Sequence, residues 1–334
     1  MTTVRRFATA TFAIACLHLV FGAIVRISGS GMGCGNHWPK CYGRWIPPMS
    51  RPDLIVEVSH RYLASILLLA LIATFAAAWR HASETGIGER GGVLRMSGLG
   101  VALGFSAALL GAVTVKLGNA PFATLAHWTV AMSLVATTVA TLIRAGGLGG
   151  TLARAGGVSS KTMRGAMVGA GMALLTVVMG GLTAKYPGAS VACQGFPLCG
   201  PNPDVARASI HVQLTHRLLA FLVVLHLIGL AVGVYRRNEA VVARRAVTIA
   251  ASLGLLQLAV AAAMILGHLP PVLRSLHEAT GVSIWIATFA LAYLSRIASG
   301  GSAVAFEVPR TLESPARARS PHGAATGAPR GAEG

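Results

Sequence analysis

The sequence predicts an all-α polytopic membrane protein, with eight transmembrane helices arranged as two pseudo-symmetric four-helix bundles. Three observations carry that prediction. Of 334 residues, 54% are hydrophobic and 11% charged, with mean hydropathy +0.65, a composition whose natural solvent is lipid. Apolar stretches long enough to cross a bilayer recur along the chain. The second half also repeats features of the first, in the same order, at an offset of roughly 150–160 residues.

The spans fall near 7–27, 57–79, 95–115 and 124–143 in the first half, and near 164–184, 211–234, 244–266 and 275–295 in the second. Arg5 and Arg6 ahead of the first run imitate a signal peptide, but the run is long and no convincing small-residue cleavage site follows. It is therefore expected to be a retained helix. Alternating strands are nowhere visible, so a barrel is excluded, and the 40 glycines suit close helix packing in a membrane. Residues 1–150 and 151–296 are expected to form one bundle each. Residues 297–334, rich in Ala, Gly, Ser, Pro and Arg, read as a disordered tail.

A net charge of +18 in a soluble chain would point to nucleic acid. Here the charges sit between apolar segments and point to anionic lipid instead. Placing the N-terminus in the cytoplasm puts most of the 28 Lys and Arg on that side, among them Arg80, Arg90, Arg144, Arg236, Arg237 and Arg245. Both termini are thus expected to be cytoplasmic in a multi-pass protein of the cell membrane.

The repeat is carried by three features. Glu57-Val58-Ser59-His60-Arg61 matches Gln213-Leu214-Thr215-His216-Arg217. The loop from Cys34 to Cys41 matches that from Cys193 to Cys199. His127 matches His277, each opening the last helix of its half. Four helices per half, in one orientation, relate the bundles by an axis roughly along the membrane normal.

In each half the second and fourth helices run from outside to inside, so His60 and His127, and likewise His216 and His277, share a depth near the outer face. Alternate helices of an up-down bundle lie on its diagonal, roughly 11–14 Å apart. That gap suits a porphyrin whose iron takes one imidazole from each side. A bare zinc site would be short of ligands. A lone intramembrane histidine is often only hydrogen-bonded to a carbonyl, but four paired by topology and repeated point to a role. His18 and His226 lack matched counterparts and read as packing residues.

Glu57 lies three residues before His60 and shares its helix face. Its counterpart Gln213 keeps the shape and loses the ionisable group, so the first site is the candidate for chemistry that moves protons. The plain alternative is a helix-start carboxylate paired with Arg61. Arg61 and Arg217 are candidates to bind haem propionates. Close cysteine pairs on the oxidising side of a membrane normally become disulfides. Cys34 with Cys41, and Cys193 with Cys199, read as staples of a lid, with a redox role for the first pair as the sharper option. Cys16 reads as an inert core thiol.

Together, Gly29-Ser30-Gly31-Met32-Gly33-Cys34, Trp38-Pro39, Cys41, Glu57-x-x-His60-Arg61, His127, Gln213-x-x-His216-Arg217 and His277 resemble the haem A synthase family over nearly the whole chain except the tail. The resemblance implies oxidation of a methyl group of haem O to a formyl group through a hydroxylated intermediate, giving haem A. It implies that His60 and His127 flank the substrate haem with Glu57 assisting, and that His216 and His277 hold a haem b. It further implies that Cys34 and Cys41 matter for activity, that Cys193 and Cys199 form a structural disulfide, and that a haem O synthase and terminal oxidase assembly are partners. The electron acceptor is left open. The rival reading is a di-haem b-type membrane cytochrome carrying electrons from quinol, which four histidines alone fit equally well.

Overall fold

The computed structural model describes residues 1–300. Its helices are α1 (Thr2–Ile27), α2 (Pro52–Arg80), α3 (Val93–Lys116), α4 (Pro121–Arg144), the short α5 (Gly150–Ala153), α6 (Ser160–Lys185), α7 (Arg207–Arg236), α8 (Val241–Leu266) and α9 (Pro271–Ala298). Eight of them, all but α5, are long and apolar enough to cross a membrane. No strand forms among the described residues, in keeping with the all-α expectation. The expected disordered tail lies outside the described residues from 301 onward, and Ile297 and Ala298 close α9.

The helices start several residues earlier than the apolar runs. Proline opens α2, α4 and α9, where its fixed φ and missing N–H cost nothing. The Ser159 hydroxyl accepts the Thr162 N–H at the head of α6, an N-cap. A cation stands in the last turn of most long helices, including Arg26, Arg80, Arg144, Lys185 and Arg236, facing the negative end of the helix dipole.

In the first half, α1, α2, α3 and α4 each pack on the next and α4 closes back on α1; α6 to α9 form the same ring in the second. Hence α2 and α4 are diagonal, and so are α7 and α9. Close approach rests on small residues: a Cβ on Gly104 of α3 would come within 2.8 Å of Leu71 on α2, the packing lipid-embedded helices rely on. The bundles join through α4, which packs on α6 and α9, and through α1 on α9. Trp285 Nε1 donates to the Met132 carbonyl across this seam at 3.0 Å. Of the seam helices, α4 and α9 are the most enclosed, with 61% and 44% of their apolar windows buried against 22% for α3. Outward residues such as Leu69, Phe105, Leu109 and Leu225 are exposed, the surface a bilayer covers.

Each half carries a lid between its first two long helices. Both open on a left-handed glycine, Gly29 at φ 73° and Gly188 at φ 72°, followed by a 3-10 turn, Ser30–Met32 and Ala189–Val191. That backbone favours glycine over any residue with a Cβ. Disulfides join Cys34 to Cys41 and Cys193 to Cys199. Gly33 lies so close to the start of α2 that a Cβ would meet the Asp53 carbonyl oxygen at 2.9 Å.

Candidate functional site

One cavity of about 720 Å³ runs between the bundles beneath the lids. His60 and His127 from the first half and His216 and His277 from the second all line it, with Glu57, Gln213, Arg61 and Arg217.

The histidine rings are seated on neighbouring helices. His127 Nδ1 is 2.9 Å from the Ala107 carbonyl oxygen and His216 Nδ1 is 3.2 Å from that of Thr176. A carbonyl can only accept, so each ring donates from Nδ1 and keeps Nε2 as its free nitrogen, the tautomer of a metal-binding imidazole held by its outer partner. Glycines make room: a Cβ on Gly22, Gly111 or Gly180 would come within 3.3, 3.3 or 3.0 Å of the Cε1 of His60, His127 or His216. The Gln257 amide nitrogen lies 3.1 Å from His277 Nδ1 and 3.0 Å from the His277 carbonyl, while Thr280 donates to the other end of the same amide.

The His216 and His277 rings meet edge to face, with centroids 6.4 Å apart and planes at 79°. Two imidazoles each about 2 Å from a shared metal have centroids roughly 6 Å apart, so this pair fits an iron held axially. Among the described residues no group of three or more His, Cys, Asp or Glu converges on one point. A porphyrin supplying the remaining ligands fits the donor set better than a bare ion.

In the first half the His60 ring stacks on His18, centroids 4.3 Å apart and planes within 7°. Sequence alone groups His18 with His226 as packing residues. His226 is one, bonded through Nε2 to the Gly165 carbonyl at 2.8 Å. His18 is not: it lines the cavity, and its Nε2, like His60 Nδ1, is buried with no hydrogen-bond partner. Buried polar atoms are seldom left so unless a ligand completes them. The signal lay in the spacing His18, Gly22, Arg26, three residues four apart on one face of α1 that all meet the cavity.

Glu57 and Gln213 do the same mechanical job. The Glu57 carboxylate accepts the Cys34 N–H at 2.8 Å, and the Gln213 amide oxygen accepts the Cys193 N–H at 2.6 Å. Both side chains are buried, at 4% and 6% exposure. Arg61 bonds Glu57 and donates to the Pro39 carbonyl at 2.9 Å. Arg217 donates to the Gly195 carbonyl at 2.7 Å and that of Cys193 at 3.1 Å. The two arginines therefore pin the lids from below. Glu57 stands at the cavity wall as a carboxylate, while its mate is an amide.

The second half is not devoid of acid, although the Gln213 comparison alone suggests it. Glu278, next to His277, lines the cavity and forms an ion pair with Arg26 across the seam. Sequence reasoning missed this pair because its members lie 252 positions apart.

Comparison with known proteins bears on this arrangement. The chain matches the COX15-CtaA family model, described as cytochrome oxidase assembly protein, over residues 5–55 and 52–289. It is 30% identical over 245 residues to a protein of Shouchella clausii named "Heme A synthase", covering 72% of this chain and 78% of that one. Two proteins of the same name are 28% identical. That of Geobacillus kaustophilus matches 72% of this chain and 75% of its own length. That of Geobacillus thermodenitrificans matches 67% and 69%.

Proposed function

Because the chain belongs to the COX15-CtaA family of cytochrome oxidase assembly proteins, we propose that this multi-pass membrane protein is a haem A synthase, an oxidoreductase that converts a methyl group of haem O to the formyl group of haem A. The observation that carries the reading is the broken symmetry of the cavity. Two matched pairs of inward histidines stand beneath two matched lids, and only one lid is hooked to an ionisable group, Glu57.

The substrate haem O lies in the first half, with His60 and His127 on its two faces and His18 backing the His60 ring. Oxidation proceeds through the alcohol, whose conversion to the aldehyde passes two electrons to an acceptor outside this chain and releases two protons. Glu57 is the group at that wall that can take one up, and Arg61 steadies its charged form. Gln213 cannot do this, so the second half holds rather than transforms. Its resident haem b is gripped by His216 and His277, and such a group supplies reversible one-electron chemistry when bound. The first half, residues 1–150, is thus the substrate unit and the second, 151–296, the holding unit. Lid residues Trp38, Pro39 and Phe196 line the cavity, where they limit the access of water. The Cys34–Cys41 pair, at 0% and 2% exposure, shapes the first lid beside the reacting haem.

The loops carrying Arg90, Arg154 and Arg237 face the cytoplasm under the positive-inside rule, which puts the lids and the haem sites near the outer face. A haem O synthase upstream and the assembly of a terminal oxidase downstream follow from the chemistry of substrate and product.

The test is to express the chain with a haem O synthase and identify the extracted haems by mass. Haem A is expected from the natural sequence. Glu57→Ala is expected to retain bound haem and leave haem O unconverted. Haem A at the natural level in that variant would end the role given to Glu57, and b-type haem alone under every condition would favour an electron carrier.

A further inference from the structure

Five cations lie on the cavity wall: Arg26, Arg61, Lys185, Arg217 and Arg274. Arg61 and Arg217, expected from sequence to bind propionates, donate to lid carbonyls, and the Arg217 Nε has no hydrogen-bond partner. The other three gather elsewhere. Arg26 ends α1 and Lys185 ends α6. Arg274 and Glu278 lie four apart on α9, on the helix face that carries His277. Arg26 is paired with Glu278, with side chains 24% and 13% exposed. Lys185 lines the same cavity as both, and Glu278 directly follows His277 on α9, so the group sits beside the second histidine pair. Lys185 and Arg274 have no hydrogen bond or ion pair from their side chains among the described residues.

Three cations against one carboxylate leave two positive charges uncompensated in a partly buried cluster. A partly desolvated charge of this kind is costly unless an anion meets it. A haem carries two propionates. The cluster is also a property of the second half alone: where α9 has Arg274 and Glu278, the matched positions of α4 are Thr124 and Trp128.

We propose that Arg26, Lys185 and Arg274 are the carboxylate-binding end of the second porphyrin site, receiving the two propionates of the haem gripped by His216 and His277. Glu278 is the positioning residue that orients Arg26 toward them. The inference rests on the reading that the second half holds a haem. A lipid phosphate offers similar chemistry, but the cluster faces the cavity beside His277, which commits the anion to the porphyrin.

The experiment strips the full-length protein of haem in zwitterionic phosphatidylcholine nanodiscs. It then titrates in haem b and, separately, haem b dimethyl ester, whose carboxylates are blocked, following the bis-histidine absorption bands. The natural chain is expected to prefer the free acid by about tenfold or more, the size of a charge-assisted contact. Lys185→Gln and Arg274→Gln are each expected to shrink that preference, Lys185→Arg to restore it, and Lys161→Gln, far from the cavity, to leave it unchanged. Equal preference in the natural chain and both Gln variants overturns the proposal. So does a Lys185→Gln effect seen only as lost phosphatidylglycerol when that lipid is added. Failure of both haems to give bis-histidine bands with the natural chain sinks the haem-holding role of the second half itself, a separate result. A variant that does not fold reveals itself by losing the bands for both ligands, and the comparison then passes to Arg274→Lys.

Discussion

Gly180→Ala tests the seating of the second histidine pair with a single methyl group. The added Cβ would stand 3.0 Å from His216 Cε1, 3.5 Å from Nδ1 and 3.6 Å from Nε2. The whole edge of the ring is therefore met, and the ring must retreat by a few tenths of an ångström. Retreat moves Nδ1 from the Thr176 carbonyl, a bond already 3.2 Å long, and displaces Nε2 from the axis it shares with His277. Overpacking of this kind costs about 1–3 kcal/mol, which lowers haem affinity roughly 5- to 150-fold. Alanine also favours a helix over glycine by up to about 1 kcal/mol. Gly171→Ala on the same helix, where a Cβ meets nothing within 4 Å, isolates that gain. The assay is titration of haem b into haem-stripped protein in nanodiscs, with the bis-histidine bands as signal. If Gly180→Ala binds haem as Gly171→Ala does, the ring is not held where the glycine cradle places it, and the reasoning about the pair fails.

Glu57→Gln should separate hook from proton acceptor. Its amide oxygen can still take the Cys34 N–H, as Gln213 takes that of Cys193, so lid amide exchange should stay unchanged while haem O conversion drops at least ~100-fold; faster lid exchange would show that the charge, not the shape, holds the loop. Arg217→Lys loses the forked grip on the carbonyls of Gly195 and Cys193 and should speed hydrogen exchange across residues 193–201 by roughly 5- to 150-fold, an opening cost of about 1–3 kcal/mol; unchanged exchange would refute the pin. At the α7–α8 turn, burial pushes the Glu239 carboxyl up, but hydrogen bonds from Ser159, Thr162 and Arg237 more than offset it and hold it down to about 2, below its ordinary 4.5. A lowered folded value means stability that is full above 4.5 and drains as pH falls toward 2. Thermal unfolding in detergent should therefore show an acid-side loss that Glu239→Gln lacks, and parallel curves would remove Glu239 from the account.

The spans were legible because a bilayer demands long apolar runs, and the repeat was legible because its markers are polar residues against an apolar background. The diagonal placement of α2 with α4 and of α7 with α9 follows from up-down connection alone. Helix starts were not legible by hydropathy, since Pro52, Pro121 and Pro271 and the polar first turns belong to the helix without being apolar. The wall of the cavity was half visible. His127 and His277 stood out by their match, but His18 has no partner in the repeat, and its role depends on which face α1 turns inward. Gln257, Arg26 and Glu278 act only through contacts between helices distant in sequence, and no local pattern announces such contacts.

The hook of the first lid, Glu57, is also the group proposed to take up the proton. While Cys34 holds one oxygen of Glu57 and Arg61 the other, both are engaged, so the carboxylate is freest to accept a proton when the loop lifts, and its neutral form still offers an oxygen to the Cys34 N–H. On the proposed reading, release of the loop and uptake of a proton therefore meet at one side chain. The second door is bolted by a neutral amide, indifferent to that proton. The proposal gives one compartment an occupant that changes at every round and its neighbour one that stays.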